Sequence, residues 1–459
     1  MTRDRPTTGW LRRVARNGGQ PIYLALAEAL EAAIRDGELQ PGDQLPPQRA
    51  VAGQLGVDFT TVTRAYGAAR ARGLVEGAVG RGTFVRRAAD DEAGLVDLSM
   101  NLPPPPRGVS LATLLKETTA AILDRTDVAT LMAYHAGPGT PAQRAAGAAW
   151  LAPYVGEVAA ERLVVCPGAQ SALTAVLTTL ARPGASLVVE PLTYPGLTAL
   201  ARRLDLRLVA CPVDDDGFVP EALARLCAEQ CPAAIYVVPT TRNPVATTMG
   251  LARRRDVAAV AEGSGTWLIE DDPYSRLFDT PLPALAALAP ARAFHIATLS
   301  KTLSPGLRTA FLVAPTGSMA AQVTASLRAT ALMGSPLTTA VATRWIRDGA
   351  AERLLNGVRL EARARRALAA EILPMARGAP EAIHVWLDLP AGWDAGRVHG
   401  QAAARGLSLV AADAFAAGPE HPNGLRISLG GPASQALLRD ALSKVATLLT
   451  SDAPPRVVV

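Results

Sequence analysis

The chain has 459 residues, 49% apolar and 19% charged, enough for two or three globular units and too apolar for a disordered polymer. Its longest apolar runs, such as Leu187 to Val189 and Ile235 to Val238, are strand-sized, far below the ~18 residues of a membrane span, so no transmembrane helix is expected. The net charge of +5 lies wholly in residues 1–89, which hold 13 arginines against eight acids, while the remainder holds 33 of each sign. That asymmetry points to an anion-binding N-terminal module. No apolar core and cleavage site follow Arg3, Asp4 and Arg5, so no secretory signal is expected and the cytoplasm is the expected compartment.

In chain order, Ile22, Leu26, Leu30 and Ile34 recur at helical spacing and predict a first helix closed by Asp36-Gly37. A second runs from about Gln48 to Leu55 and ends at Gly56. The third lies between Asp58, a good N-cap, and Gly73, with Val62, Ala65, Tyr66 and Ala69 inward. Leu74-Val75, a glycine-rich turn and Thr83-Phe84-Val85 predict a hairpin. Three helices and a hairpin make a winged helix-turn-helix over residues 1–85. Such a module lays its last helix in the major groove of double-stranded DNA. The exposed face offers Thr60, Thr61 and Arg64; Arg49 reaches a phosphate, and Arg81 with Gly82 at the hairpin tip can approach the minor groove. Pattern alone also admits a protein-interaction module, with DNA the better supported of the two.

Residues 86–97, charged and small, read as a linker. Beyond them, helices alternate with short apolar strands at 162–166, 186–190, 207–211, 234–239, 267–271, 293–298 and 309–313. That alternation predicts an α/β fold around a mostly parallel, helix-covered sheet of seven strands. The body spans 98–450, with a large part at about 120–334 and a smaller α+β subdomain at about 335–450.

Only three of the 46 bases are lysines, Lys116, Lys301 and Lys444, and arginine cannot replace lysine where a nucleophilic amine is needed. Lys301 follows an apolar strand, amid hydroxyls at 298, 300, 302 and 304, with Arg308 seven residues on. Pyridoxal phosphate chemistry asks for that set: an amine to form the aldimine, and hydroxyls with a guanidinium for the phosphate. It also needs a carboxylate on the pyridine nitrogen, and Glu270-Asp271-Asp272-Pro273-Tyr274 places acids at the sheet's carboxyl edge with a tyrosine to meet the ring oxygen. Gly168-Ala169-Gln170 opens a helix whose N–H groups suit a phosphate, Tyr194 can stack on the ring, and Asn243-Pro244 can bring an amide to the ring oxygen. The four cysteines and five histidines show no metal-ligand spacing, so no metal is expected.

From Pro21-Ile22-Tyr23 through Gly37-Glu38-Leu39-Gln40-Pro41-Gly42, Leu55-Gly56-Val57 and Gly80-Arg81-Gly82-Thr83-Phe84-Val85, the N-terminal region closely resembles the GntR family of bacterial regulators. It departs at Phe59, where that family usually has a DNA-contacting arginine, and at Pro47, where a serine normally caps the second helix. Residues 97–450 resemble fold-type I pyridoxal-phosphate enzymes, the class I aminotransferases in particular. The resemblance makes Lys301 the Schiff-base lysine, Asp271 the pyridine partner, Asn243 and Tyr274 ring-oxygen donors, and Tyr194 the stacking ring. Gly168, Ala169, Gln170, Thr298, Ser300 and Arg308 become the phosphate cup. It further implies that Tyr134 reaches across a homodimer interface to the neighbouring phosphate, and that Arg426 in Gly424-Leu425-Arg426-Ile427-Ser428 grips an amino acid's carboxylate. Val245-Ala246 and Thr298 depart from the usual residues. Together the halves resemble the MocR subfamily of regulators. This implies a DNA-binding regulator with pyridoxal 5'-phosphate at Lys301, answering to an amine, an amino acid or the cofactor itself. The alternative it leaves open is a working aminotransferase with a 2-oxo acid acceptor; under the regulatory reading, transamination is expected to be weak.

Overall fold

The apolar stripe of Ile22–Arg35 (α1) buries Leu26, Leu30 and Ala33 against Val51 and Leu55 of Gln48–Leu55 (α2) and Val62, Tyr66 and Ala69 of Phe59–Ala71 (α3). The computed structural model describes residues 8–14, 21–35, 38–39, 43–72, 74–78, 82–85, 95–135, 137–390 and 392–451, in two units between which the chain passes at Leu95 and Val96. Gly56, at φ 63°, ends α2 in the left-handed conformation that glycine adopts without strain. Asp58 caps α3 by accepting the Thr60 N–H at 2.8 Å, whereas Pro47 leaves α2 without a side-chain cap. Tyr66 donates to the Pro46 carbonyl at 2.9 Å and ties α3 to the approach of α2. The hairpin pairs Val75–Ala78 with Gly82–Val85 antiparallel. A short 3-10 turn over Gly9–Arg13 adds a fully buried Trp10 to this core, an element the sequence did not suggest because five residues show no periodicity.

In the second unit, seven strands lie in the order Leu163–Cys166, Ala310–Val313, Ala293–Thr298, Trp267–Asp271, Ala234–Val237, Ser186–Val189 and Arg207–Ala210. Ala310–Val313 alone runs antiparallel to its neighbours. The central strands are buried on both faces, which is why they read as unbroken apolar runs. One face packs Leu173 and Val176 against Tyr236 and Ile269; the other packs Leu223 and Val257 against Ile235 and Leu268.

The smaller subdomain pairs His384–Asp388 and Val410–Ala411 on either side of Gly424–Ser428, all antiparallel. Two expected boundaries shift. Val96 and Asp97, assigned to the linker for their composition, pair in parallel with Leu407 and Ser408. Likewise, Val341 and Trp345 of Pro336–Arg347, and Leu354 and Val358 of Ala350–Ile372, belong to the large core, and the subdomain's own core takes over at Leu368. A single long helix bridges both cores, so composition gives no break at 335.

Candidate functional site

Parallel strands deliver their carboxyl ends to one edge of the sheet, and ligand sites form there. At that edge Asp271 ends one strand, Thr298 ends the next with Ser300 and Lys301 just beyond it, and Gly168 follows Leu163–Cys166. A cavity of about 440 Å³ opens there, lined by Lys301, Asp271, Tyr274, Asn243, Tyr194, Ala169, Gln170, Thr298, Ser300, Arg308 and Arg426. These eleven residues come from seven separate stretches of sequence, and the fold gathers them all. Gly168 sits directly behind: a Cβ there would stand 2.9 Å from the Arg308 guanidinium.

One end of the cavity is built from the helix Ala169–Leu180, with Gly168 at φ 94° as its N-cap. Ala169 and Gln170 of its first turn line the cavity with Arg308 and with Thr298, whose hydroxyl bonds Ser300 Oγ at 2.9 Å. Gln170 donates to the Gly196 carbonyl at 3.0 Å, while its Oε1 is buried without a partner. An N-terminal helix end and a glycine cradle against a guanidinium fit an anionic, hydrogen-bond-accepting group such as the phosphate of pyridoxal 5'-phosphate. Gly168→Ala is expected to destabilise the protein by about 1–2 kcal/mol, since φ near +94° strains any Cβ, and to push Arg308 out of place. Urea unfolding checks this; an unchanged midpoint would contradict it.

At the other end, Asp271 is 6% exposed and accepts from Tyr236 Oη at 2.8 Å. Burial, aided by the neighbouring Asp272, pushes its carboxyl up to about 6 against the pull of that hydrogen bond. Burial and the cations of Arg426 and Arg308 lower the Lys301 amine to about 8, with Asp271 opposing. Tyr274 and Tyr194 are raised by burial, so both phenols stay protonated. Behind Asp271 lies a buried ionic cluster: Glu270 accepts the Leu285 and Ala286 N–H groups and bonds His295 Nδ1 at 2.8 Å. Burial opposes charge on both partners, yet their attraction wins, lowering Glu270 and raising His295.

Sequence reasoning missed the segment that closes the cavity. Ser99 and Asn101 turn their carbonyls inward: Arg426 Nη2 donates to Ser99 O, and Lys301 Nζ donates to Asn101 O at 2.5 Å. Arg426 also donates to Asn243 Oδ1 at 3.0 Å and stacks 4.9 Å from the Phe415 ring centroid. Tyr236 was also missed. It pairs with Ile269 in register, two positions before Asp271, and an aromatic hydroxyl in an otherwise aliphatic strand was the available signal.

The remaining expected residues lie elsewhere. Tyr134 does not line the cavity and is 80% exposed, beside exposed Met132. In the first unit, Arg64 stacks over Tyr23 at 4.2 Å, and Arg49 lies 6.0 Å from the ring of exposed Phe59. Thr60 is exposed, but its hydroxyl proton is spent on Asp58 at 2.5 Å. Thr61 is half-buried, Gly82 begins the second hairpin strand, and Arg81 lies outside the described residues.

Residues 22–85 match the bacterial regulatory proteins of the gntR family, and residues 94–436 match aminotransferase class I and II. An uncharacterized HTH-type transcriptional regulator of Bacillus subtilis, YdeF, is 30% identical over 94% of this chain and 95% of its own. The pyridoxine biosynthesis transcriptional regulator PdxR of Corynebacterium glutamicum is 31% identical over 78% of this chain and 81% of its own. The probable rhizopine catabolism regulatory protein MocR of Rhizobium meliloti is 30% identical over 65% and 66%. Among solved structures, a kynurenine aminotransferase of Pyrococcus horikoshii, in complex with PMP, superposes with a TM-score of 0.72 at 22% identity, over 80% of this chain and 96% of that one.

Proposed function

Since the chain belongs to the MocR subfamily, a GntR module joined to a class I and II aminotransferase domain, we propose that it is a DNA-binding regulator whose site holds pyridoxal 5'-phosphate and senses an amine or amino acid. The fold and the relatives imply cofactor binding and DNA binding; the effector and its route are our reading. Bound there, the cofactor supplies a carbonyl carbon that captures amines and a ring that draws electrons. Lys301 offers the attaching amine, Asp271 holds a proton at the ring nitrogen, and Tyr274 with Asn243 meet the ring oxygen. Tyr194 covers the ring face. Ala169, Gln170, Thr298, Ser300 and Arg308 take the phosphate, joined in a homodimer by Tyr134 of a second copy.

One observation carries the regulatory reading. The two groups an amino acid would engage, Lys301 and Arg426, are held by the carbonyls of Asn101 and Ser99, within a few residues of Val96, where the second unit begins. A carboxylate gripped by Arg426 competes with the Ser99 carbonyl, so occupancy bears on the stretch of chain that continues into the DNA-binding module. No helix among the described residues is long and apolar enough to cross a membrane.

The test is footprinting on operators selected from random double-stranded DNA, with and without cofactor and a panel of amino acids. Arg426→Gln is expected to keep DNA binding and lose the amino-acid response. Arg49→Ala should weaken binding across sequences and lower the salt slope by about 1. Efficient multiple turnover with a 2-oxo acid, and no specific DNA binding at physiological salt, would instead establish the aminotransferase. A footprint that changes with cofactor alone would make the cofactor the effector.

A further inference from the structure

Asn101 stands where three groups of the site converge, and it is 6% exposed. Its carbonyl accepts from Lys301, its Nδ2 donates to Tyr274 Oη at 2.9 Å, and the same Nδ2 lies 3.1 Å from His384 Nδ1. His384 is fully buried. Burial, reinforced by the cations of Arg426 and Lys301, lowers its imidazole to about 3, so the ring is neutral at physiological pH. With the Asn101 amide nitrogen facing Nδ1, the one ring proton is left to Nε2, which is buried without a hydrogen-bond partner. The ring's Nδ1 is then an acceptor, and the Asn101 NH2 faces both His384 and Tyr274.

That orientation fixes a proton. Tyr274 Oη accepts from Asn101, so its own hydrogen points elsewhere, and the open direction is the cavity that Tyr274 lines. We propose that Asn101, held by His384, is a positioning residue that aims the Tyr274 hydroxyl proton into the cavity, at the ring oxygen of a bound cofactor. The proposal rests on the cofactor reading. The charged and titratable groups facing Tyr274 are Arg426, Asp271, Tyr194 and His384, whose ring centroid lies 5.7 Å away, and none of them donates to its oxygen in Asn101's place.

A hydroxyl donated to the ring oxygen competes with the proton that oxygen shares with the Lys301 nitrogen. Losing the donor therefore strengthens that proton's hold and raises the pH at which the visible absorbance of the holoprotein changes. The experiment is a pH titration of this absorbance in protein reconstituted with pyridoxal 5'-phosphate. Asn101→Leu keeps the backbone carbonyl and removes the side-chain donor, so the midpoint should rise by about half to one pH unit, the worth of one net hydrogen bond. Tyr274→Phe should raise it at least as far, and Asn101→Leu added to Tyr274→Phe should shift it no further. His384→Phe should move the midpoint in the same direction, with no effect in the Tyr274→Phe background, and it serves if Asn101→Leu does not fold. An unmoved midpoint, or an equal shift in the Tyr274→Phe background, would overturn the proposal alone. A wild-type protein with no such band at all would overturn the cofactor reading and the proposal with it.

Discussion

Replacing Lys301 with alanine is expected to abolish the visible absorbance of protein reconstituted with pyridoxal 5'-phosphate while leaving the fold intact. The flanking Leu299 and Leu303 are buried and keep the turn in place, so the lysine carries chemistry rather than packing. Burial and two neighbouring arginines lower its amine to about 8, which leaves a working fraction of free base near neutrality. Lys301→Arg should lose the band as completely, because a guanidinium stays protonated and cannot attack a carbonyl. What remains, the phosphate cup and Asp271, should hold the cofactor at least about 100-fold more weakly. The apoprotein supplies a second readout. Folding lowers this pKa from 10.5, so the native state gives up a proton that the unfolded chain keeps between about 8 and 10.5, and wild-type stability rises with pH across that window. The alanine variant should lack that rise. A retained band, or an unchanged slope, would contradict the assignment.

How far the sequence revealed this site depended on how local each signal was. Lys301 was legible because lysine is rare here and because its hydroxyl neighbours lie within a few residues; Asp271 was legible because a buried parallel strand announces its own carboxyl end. Their partners were not. Tyr236 meets Asp271 only through strand pairing, and Asn101 meets Tyr274 across 173 positions, distances over which residue pattern carries no information. Composition also misplaced Val96 and Asp97, because two residues are too few for a period and their strand partners lie 311 positions on. Trp10 shows the same limit in the first unit: its burial follows from its turn packing on α1, not from its neighbours in the chain.

Asp271→Asn is expected to separate stability from cofactor retention. Wild-type Asp271 rises from 3.8 in the unfolded chain to about 6 when folded, so the native state holds a proton that the unfolded state releases within this window. Stability therefore falls as pH rises from about 4 to 6, and above pH 6 the buried carboxylate costs at most about 3 kcal/mol. Asparagine is isosteric and never ionises, so the variant apoprotein should be the more stable of the two above pH 6 and lose that advantage near pH 4, as urea midpoints at pH 4 and pH 7.5 will read. Cofactor retention should move the other way. A neutral amide cannot hold a proton at the ring nitrogen, and losing a charge-assisted hydrogen bond of about 1.5–3 kcal/mol weakens binding roughly 10- to 100-fold. Tyr236→Phe removes the hydrogen bond that opposes the rise, so it should push the pH window of the wild-type carboxylate still higher. Equal stability of variant and wild type at both pH values would mean that Asp271 is solvated rather than held in reserve for a cation, and the pyridine-partner role would fall with it. If the opposing shifts appear, the destabilising carboxylate is kept because a bound ring nitrogen offsets its cost, and cofactor binding then stabilises the fold by mass action.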